Sequence, residues 1–431
     1  MCLLMISKEL VKEVLLDQRE FILGKDPGIP RQAMKRIDEV INLPHVIVIS
    51  GLRRCGKSTL LRQIIKNHYN DKDFFYVNFE DERLRDFNAS EFNMIYEELL
   101  SLFGKKNVFM LDEIQNVDGF EYFVRRFQEM GFKFFITGSS AHLLSREIGT
   151  KLTGRNLRID LYPFSFKELL TFKGINHKKE DLYKTERKVI IRNAFEEFMS
   201  TGGMPEYLKY KDQEILLRTY EDIVVKDIVI RYNLDNVRMV KNLYNYLISN
   251  VTNRFTFNFL KNTLGMGSSV TAQNYVDYLE EVNFCSIVHK FNPSIKKQNK
   301  SSKKFYMTDH GFLRPISTRL TKNKGKVLEN IIFTHLQHDG NVYNFETKKG
   351  ECDFIQIKSN QVTQAIQVTW ELTEKNERRE IQGLLSALKE FDLNSGTIIT
   401  YDIEKETVID GKKIVIIPAW KWCLLHNSEG K

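Results

Sequence analysis

Apolar residues in this chain follow two rhythms. Short β-branched or aromatic runs occur at Val46-Ile47-Val48-Ile49, Phe74 to Phe79, Val108-Phe109-Met110-Leu111, Phe132 to Ile136 and Leu157 to Leu161. Each is bounded by glycine or polar residues, as buried strands are. Between them the spacing turns helical. Leu60, Leu61, Ile64 and Ile65 make one apolar face, and a second helix is expected near 90–103. A third should run from the D-x-x-E capping box Asp118-Gly119-Phe120-Glu121 to Gly131. Strands alternating with helices predict an α/β class: a parallel sheet between two helical layers, a three-layer αβα domain. Residues 1–40 read as a helical lead-in, with Pro27 and Pro30 marking a loop before a helix at about 31–42.

Beyond 166 the pattern is helical to about 228, broken once at Gly202-Gly203-Met204-Pro205, and suits a small helical lid. That break reads either as a hinge or as a plain interhelical loop. Three helices are then expected near 238–251, 256–264 and 269–282, the last with Val270, Tyr275, Tyr278 and Leu279 inward. Strands at 284–291 and 304–307 complete a winged helix-turn-helix. From 324 the order is helix, three strands, helix, strand. The domains therefore fall at 1–40 (lead-in), 41–165 (nucleotide core), 166–228 (lid), 229–315 (winged helix) and 316–431 (a last α/β unit).

A chain of 431 residues exceeds what one core organises. Its 42% hydrophobic content, with 30 Phe and only 8 Pro, excludes a disordered chain. The net charge of +8 permits an acidic partner without demanding one. Five scattered cysteines without a C-x-x-C pair point away from disulfides and zinc. The apolar start Met1 to Ile6 is interrupted at once by Lys8, Glu9, Lys12 and Glu13, and no apolar run approaches a membrane span. The expectation is a cytoplasmic protein with no membrane partner.

The sharpest chemistry lies at Gly51-Leu52-Arg53-Arg54-Cys55-Gly56-Lys57-Ser58-Thr59, directly after the first apolar run. Strand, G-x-x-x-x-G-K-[ST] and helix together make a P-loop, the Walker A motif. Gly51 and Gly56 allow backbone N–H groups to wrap a phosphate, Lys57 supplies a cation, and Ser58 can ligate Mg²⁺. The helix that follows aims its positive end at the same anion. About 55 residues on, Asp112-Glu113 closes an apolar strand, as a Walker B pair does. Asp112 would help hold Mg²⁺ and Glu113 would orient the attacking water. The remaining loop positions, Arg53, Arg54, Cys55 and Thr59, are expected to line the nucleotide, Arg53 and Arg54 as variable surface cations. Cys55 reads as a small loop residue, with oxidation the rival reading.

The combination GLRRCGKST, FMLDEIQ, ITGSS, LTGR and LYPFSFKELL resembles the AAA+ ATPases of bacteria and archaea that carry a C-terminal domain of uncharacterised function. That resemblance implies a sheet with the sensor strand between the P-loop and Walker B strands. It implies ATP and Mg²⁺ as cofactors, Ser139 or Ser140 as a γ-phosphate sensor, and Arg155 as an arginine finger acting in cis or in trans. The rival reading of Arg155 is a salt bridge. A homo-oligomer is compatible with the resemblance, and a monomer is not excluded by it.

Two further features bear on function. The predicted wing is basic, with Lys290, Lys296, Lys297, Lys300, Lys303 and Lys304 and no acid from 290 to 304. It would meet the phosphates of double-stranded DNA. The predicted recognition helix, however, offers only Ser268, Ser269, Thr271, Gln273 and Asn274 outward. The last domain resembles the PD-(D/E)XK, restriction-endonuclease-like, nuclease fold. Glu329, Asp353 and Gln367 fall where that family places Mg²⁺ ligands, but Thr369 stands where it has lysine. Lys358, Lys375 and Arg379 are the nearest substitutes. Three functional readings follow: an ATPase driving or switching a DNA-associated activity, a nucleotide-switched binding protein with a dead nuclease-like domain, or an ATP-gated nuclease.

Overall fold

The five apolar runs become five parallel strands: β1 (Val46–Gly51), β2 (Phe75–Asn78), β3 (Val108–Asp112), β4 (Lys133–Gly138) and β5 (Asn156–Leu161). The computed structural model describes residues 6–139, 154–317, 324–348 and 350–426. It falls into two units, Met1–Tyr162 with Glu281–Asn283, and Pro163–Glu280 with Phe284–Lys431. In the first, the strand order is β2-β3-β4-β1-β5. β4 thus lies between the P-loop strand and the strand ending in Asp112, as the resemblance implies.

This sheet packs through aromatic rings. Phe109 stacks on Phe134 at 5.0 Å, and Phe92 stacks on Phe123 at 4.5 Å. Phe92 belongs to α4 (Phe92–Phe103) and Phe123 to α5 (Phe120–Glu129). The capping box expected at Asp118 does not form. Gly119 holds the N-cap of α5 at φ 81, and no side chain caps the helix. The amino-terminal segment is more than a lead-in. α1 (Lys8–Gly24) buries Val11, Val14 and Leu15 in the same core as β1 and β3. Its Gln18 amide pairs with the free backbone of Asn78 on edge strand β2, accepting at 2.8 Å and donating at 2.9 Å. A glutamine here covers an exposed strand edge. α2 (Ala33–Val40) and α3 (Lys57–His68) complete the unit.

The second unit begins with α6 (Phe166–Phe172), α7 (Thr185–Thr201), α8 (Pro205–Tyr210) and α9 (Gln213–Asp222), followed by a π-helical turn at Ile223–Ile230. The Gly202-Gly203 break is fixed in place by packing. A Cβ on Gly203 would lie 2.1 Å from the Phe164 carbonyl oxygen, and the Gly203 N–H donates to buried Asp309 at 2.7 Å. These contacts favour the interhelical-loop reading over a hinge.

Next come α10 (Val237–Ser249), β6 (Arg254–Phe255), α11 (Phe257–Leu264) and α12 (Ser269–Glu281). β7 (Cys285–His289), α13 (Ile295–Lys300) and β8 (Lys303–Met307) follow, and β6-β8-β7 form one antiparallel sheet. α12 buries Ala272, Val276 and Leu279, whereas Val270, expected inward, is exposed. The basic loop is also divided. Lys303 and Lys304 are buried, and Lys290 pairs with Glu346 at 2.9 Å. Only Lys296, Lys297 and Lys300 of the six remain on the short helix α13.

The last segment opens with the short α14 (Leu313–Ile316) and then α15 (Lys324–Leu336). β9 (Asn341–Thr347), β10 (Gly350–Lys358) and β11 (Gln361–Val368) form an antiparallel meander. α16 (Glu377–Glu390) leads to β12 (Ser395–Thr400), which runs parallel to β11. The hairpin β13 (Lys405–Ile409) and β14 (Lys412–Pro418), closed by α17 (Ala419–Leu425), extends the sheet to six strands. Sequence periodicity had not indicated these last three elements. Among the described residues no helix is long and apolar enough to cross a membrane.

Candidate active site

Parallel strands place their carboxyl ends together, and here β1, β3 and β4 end in Gly51, Asp112 and Gly138. The loop after β1 is tightly built. A Cβ on Gly51 would sit 2.2 Å from the Leu161 carbonyl oxygen, so only glycine fits. Gly56 takes φ 105 at the N-cap of α3, and Arg54 takes φ 64. Positive φ turns successive N–H groups inward, which makes a concavity for an anion. Arg31 braces it from outside, donating to the Cys55 carbonyl at 3.0 Å. The Cys55 thiol is fully buried and donates to Leu161 O at 3.3 Å. Burial pushes its pKa up, which disfavours the reactive thiolate. Thr59 lies half-buried on the first turn of α3.

The charged groups converge on this loop. Lys57 Nζ lies 3.1 Å from Glu113 Oε1 and 3.3 Å from Gly51 O. Burial alone would lower the Lys57 pKa, but the Glu113 carboxylate raises it, so the ammonium stays charged. Burial likewise opposes the Glu113 charge, and Lys57 with the Gln115 hydrogen bond outweighs it, holding its pKa down. Gln115 Nε2 donates to Glu113 Oε2 at 2.6 Å and reaches Ser139 Oγ at 3.4 Å. Asp112 is the counterpoint. Burial and then the Glu113 charge raise its pKa, and hydrogen bonds from Ser58 and Thr137 oppose the rise. Thr137 Oγ1 donates to Asp112 Oδ1 and accepts the Glu113 N–H at 2.9 Å, while Tyr76 donates to Asp112 Oδ2 at 3.1 Å.

The structure therefore brings together Gly51, Gly56, Lys57, Ser58, Asp112, Glu113 and Ser139. Ser140 and the Leu152-Thr153 part of LTGR lie outside the described residues. Arg53 pairs with Glu80 at 2.8 Å, and its charge also helps to hold the Glu113 pKa down. Arg31 and Tyr76 join the site without any signal in the motif spacing, whereas Gln115 and Thr137 stand inside FMLDEIQ and ITGSS with no role assigned to them there. Arg155 is not brought to it. It precedes β5, whose Asn156 pairs with Val46 at the start of β1, and its guanidinium bonds Glu129 at 3.0 Å. A six-residue strand separates that edge from Gly51, roughly 17 Å at the usual rise per residue. The cis arginine finger is thereby corrected: within one chain, Arg155 stands at the amino end of the strands, opposite the end that carries the loop.

This donor set fits a nucleotide triphosphate with Mg²⁺: a glycine cradle, a buried ammonium, and a hydroxyl bonded to a buried carboxylate.

The second cluster lies in the other unit, lining a cavity of about 1040 Å³. Glu329 on α15, Asp353 on β10 and Gln367 on β11 do meet there. Gln367 Oε1 accepts the Asp353 N–H at 3.1 Å, and its Nε2 donates to Glu380 at 2.6 Å. Thr369 lines the same cavity. Of the three substitutes, Arg379 lines the cavity and pairs with Glu380 at 2.5 Å, but the lysine among the acids is neither Lys358 nor Lys375. It is Lys304 of β8, whose Nζ lies 3.0 Å from Glu329, 3.0 Å from Asp353 and 2.9 Å from Glu351. Burial pushes the Glu329 carboxyl up to about 7 despite Lys304.

Residues 43–170 match the family model described as an AAA domain, and residues 192–323 match a domain of unknown function (DUF8612). The chain is 38% identical to the uncharacterized protein MJ1544 of Methanocaldococcus jannaschii, over 98% of this chain and 97% of that one. It is 28% identical to an uncharacterized protein of Haemophilus influenzae, over 86% and 93%. Among solved structures, the Aeropyrum pernix ORC1 protein in complex with DNA covers 69% of this chain and 95% of its own at 11% identity, TM-score 0.30. The Thermotoga maritima RuvB Holliday junction branch migration motor covers 65% and 89% at 16% identity, TM-score 0.24.

Proposed function

Because the chain belongs to the same family as the Methanocaldococcus jannaschii protein MJ1544 and holds an AAA domain at residues 43–170, we propose that it hydrolyses ATP to drive or switch a DNA-associated activity. The observation that carries the hydrolytic part is the Lys57–Glu113 pair at 3.1 Å beside the Ser58–Asp112–Thr137 chain. In this reading Lys57 leaves Glu113 to meet the phosphates. Glu113 then accepts a proton from, or orients, the attacking water, and Gln115 keeps its carboxylate aimed. Ser58 and Asp112 would hold Mg²⁺, which offsets phosphate charge when bound. Ser139, joined to Gln115 at 3.4 Å, would register the change. Arg155 acts on nucleotide only from a second copy, so turnover that rises with protein concentration and is lost in Arg155→Ala would support a homo-oligomer.

The DNA part rests on two features of the second unit. Three helices and a three-stranded sheet at 237–307 follow the order of a winged helix. Lys296, Lys297 and Lys300 on α13 provide cations for phosphates. The test is phosphate release with Mg²⁺, measured with and without double-stranded DNA. Stimulation or inhibition by DNA supports the reading, and a rate indifferent to saturating DNA contradicts its DNA half. A second reading, a slow nucleotide switch, draws on the same Lys57–Glu113 pair, which must open before hydrolysis. Turnover far below about one per second with nucleotide-dependent DNA affinity would select it.

A further inference from the structure

The acids that resemble a nuclease site already have a cation, and it belongs to the protein. Lys304 enters from β8, a strand of the sheet that precedes the last domain, and is almost fully buried among Glu329, Glu351 and Asp353. A buried ammonium is stable only when carboxylates surround it, and here each of its three contacts is one. Each acid of the cluster, and Gln367, is also engaged by other groups of the protein. Glu329 Oε1 accepts from Lys304 and from the Tyr306 hydroxyl at 2.7 Å. Asp353 Oδ2 accepts the Val368 N–H at 3.0 Å. Glu351 pairs with Arg254 at 3.1 Å in addition to Lys304. Gln367, which lacks a charge in any case, commits its oxygen to the Asp353 N–H and its nitrogen to Glu380. Among the described residues no group of three or more His, Cys, Asp or Glu side chains is arranged to hold a metal ion. The residues present do not fit Mg²⁺.

We propose that Lys304 is a tethered replacement for the divalent ion, and that the carboxylate cluster is an ion-pair clamp joining β8 to the last domain rather than a cleaving centre. Lys304 and Tyr306 sit two residues apart on β8, so they share a face and both engage Glu329. The clamp ties the sheet β6-β8-β7, carrying α13, to the sheet of the last domain. The proposal goes beyond the ATPase reading and does not depend on it.

The test uses the full chain, free of nucleotide. Calorimetric titration with Mn²⁺ should give the same isotherm for the wild type, Asp353→Asn and Glu329→Gln. A Mn²⁺ site present in the wild type and lost in either variant overturns the proposal, as does Asp353-dependent cutting of DNA. Lys304→Met should lower the unfolding midpoint by several degrees by leaving buried carboxylates unpaired, and Lys304→Met with Glu329→Gln should recover part of that loss. An unchanged midpoint in Lys304→Met overturns the clamp. If Lys304→Met does not fold, folding restored by the added Glu329→Gln supports it and no restoration counts against it, with the Mn²⁺ comparison standing on its own.

Discussion

Thr137 is fully buried at the end of β4 and makes two bonds at once, giving its hydroxyl proton to Asp112 and accepting the Glu113 N–H at 2.9 Å. Thr137→Val keeps the shape and removes both bonds. A hydrogen bond to a charged group is worth about 1.5–3 kcal/mol, and an orphaned buried donor costs about 1–3 kcal/mol. The variant should therefore lose roughly 3–5 kcal/mol. For a unit of this size each kcal/mol moves the midpoint by about 2–4 °C, so the first unit should melt roughly 6–20 °C lower. Thr137→Ser keeps the hydroxyl and loses one methyl, about 1 kcal/mol. Differential scanning calorimetry of both variants, with and without ADP and Mg²⁺, separates the two effects. Nucleotide should raise the midpoint less in Thr137→Val, because Asp112 is no longer held. Equal midpoints for the two variants would refute the hydrogen-bond argument.

Two other outcomes follow from named groups. Replacing Lys296, Lys297 and Lys300 by alanine should weaken double-stranded DNA binding across sequences and reduce the salt slope by up to about 2.7, at about 0.9 for each phosphate no longer neutralised; an unchanged slope would remove α13 from the interface. His310 is buried, with its pKa lowered by burial despite Asp309, and its Nε2 meets Phe198 O at 2.7 Å. A lowered folded pKa means the unfolded state takes up the proton first, so this contribution to stability falls as pH drops below about 6.5. Between pH 7.5 and 5.5 the wild type should lose more of its melting temperature than His310→Gln, and equal losses would contradict the assignment. Asp309, whose pKa burial raises and His310 opposes, shifts further up in His310→Gln and so favours that variant at low pH, in the same direction.

Local features of this molecule were legible in the sequence. Gly51 and Gly56 are dictated by backbone sterics, and the β-branched runs by burial in a parallel sheet, so the loop, its two acids and the strand succession could be read directly. What escaped was made by pairs distant in the chain. Gln18 covers the edge of β2, Arg31 braces the loop at Cys55, and Thr137 and Tyr76 grip Asp112. Each looks like an ordinary polar residue until the fold supplies its partner. Lys303 and Lys304 show the same limit from the other side. As neighbours in a strand they face opposite ways, Lys303 over the Phe257 ring at 5.0 Å and Lys304 into the carboxylates, yet in sequence both count simply as basic wing. The cis reading of Arg155 fell for a topological reason: parallel pairing of β5 with β1 puts it at the amino end of the strands, away from the loop.

The central claim, that Gly51–Ser58 with Asp112-Glu113 is a hydrolytic ATP site, meets its most direct test in Glu113→Gln beside Lys57→Ala. Bound nucleotide and released phosphate are to be measured in the same sample with Mg²⁺. The account predicts that Glu113→Gln retains bound ATP unhydrolysed, its turnover down at least about a hundredfold, the usual scale for a missing general base. Lys57→Ala should lose both binding and turnover. Wild-type turnover in either variant, or equal loss of ATP binding in both, would contradict it.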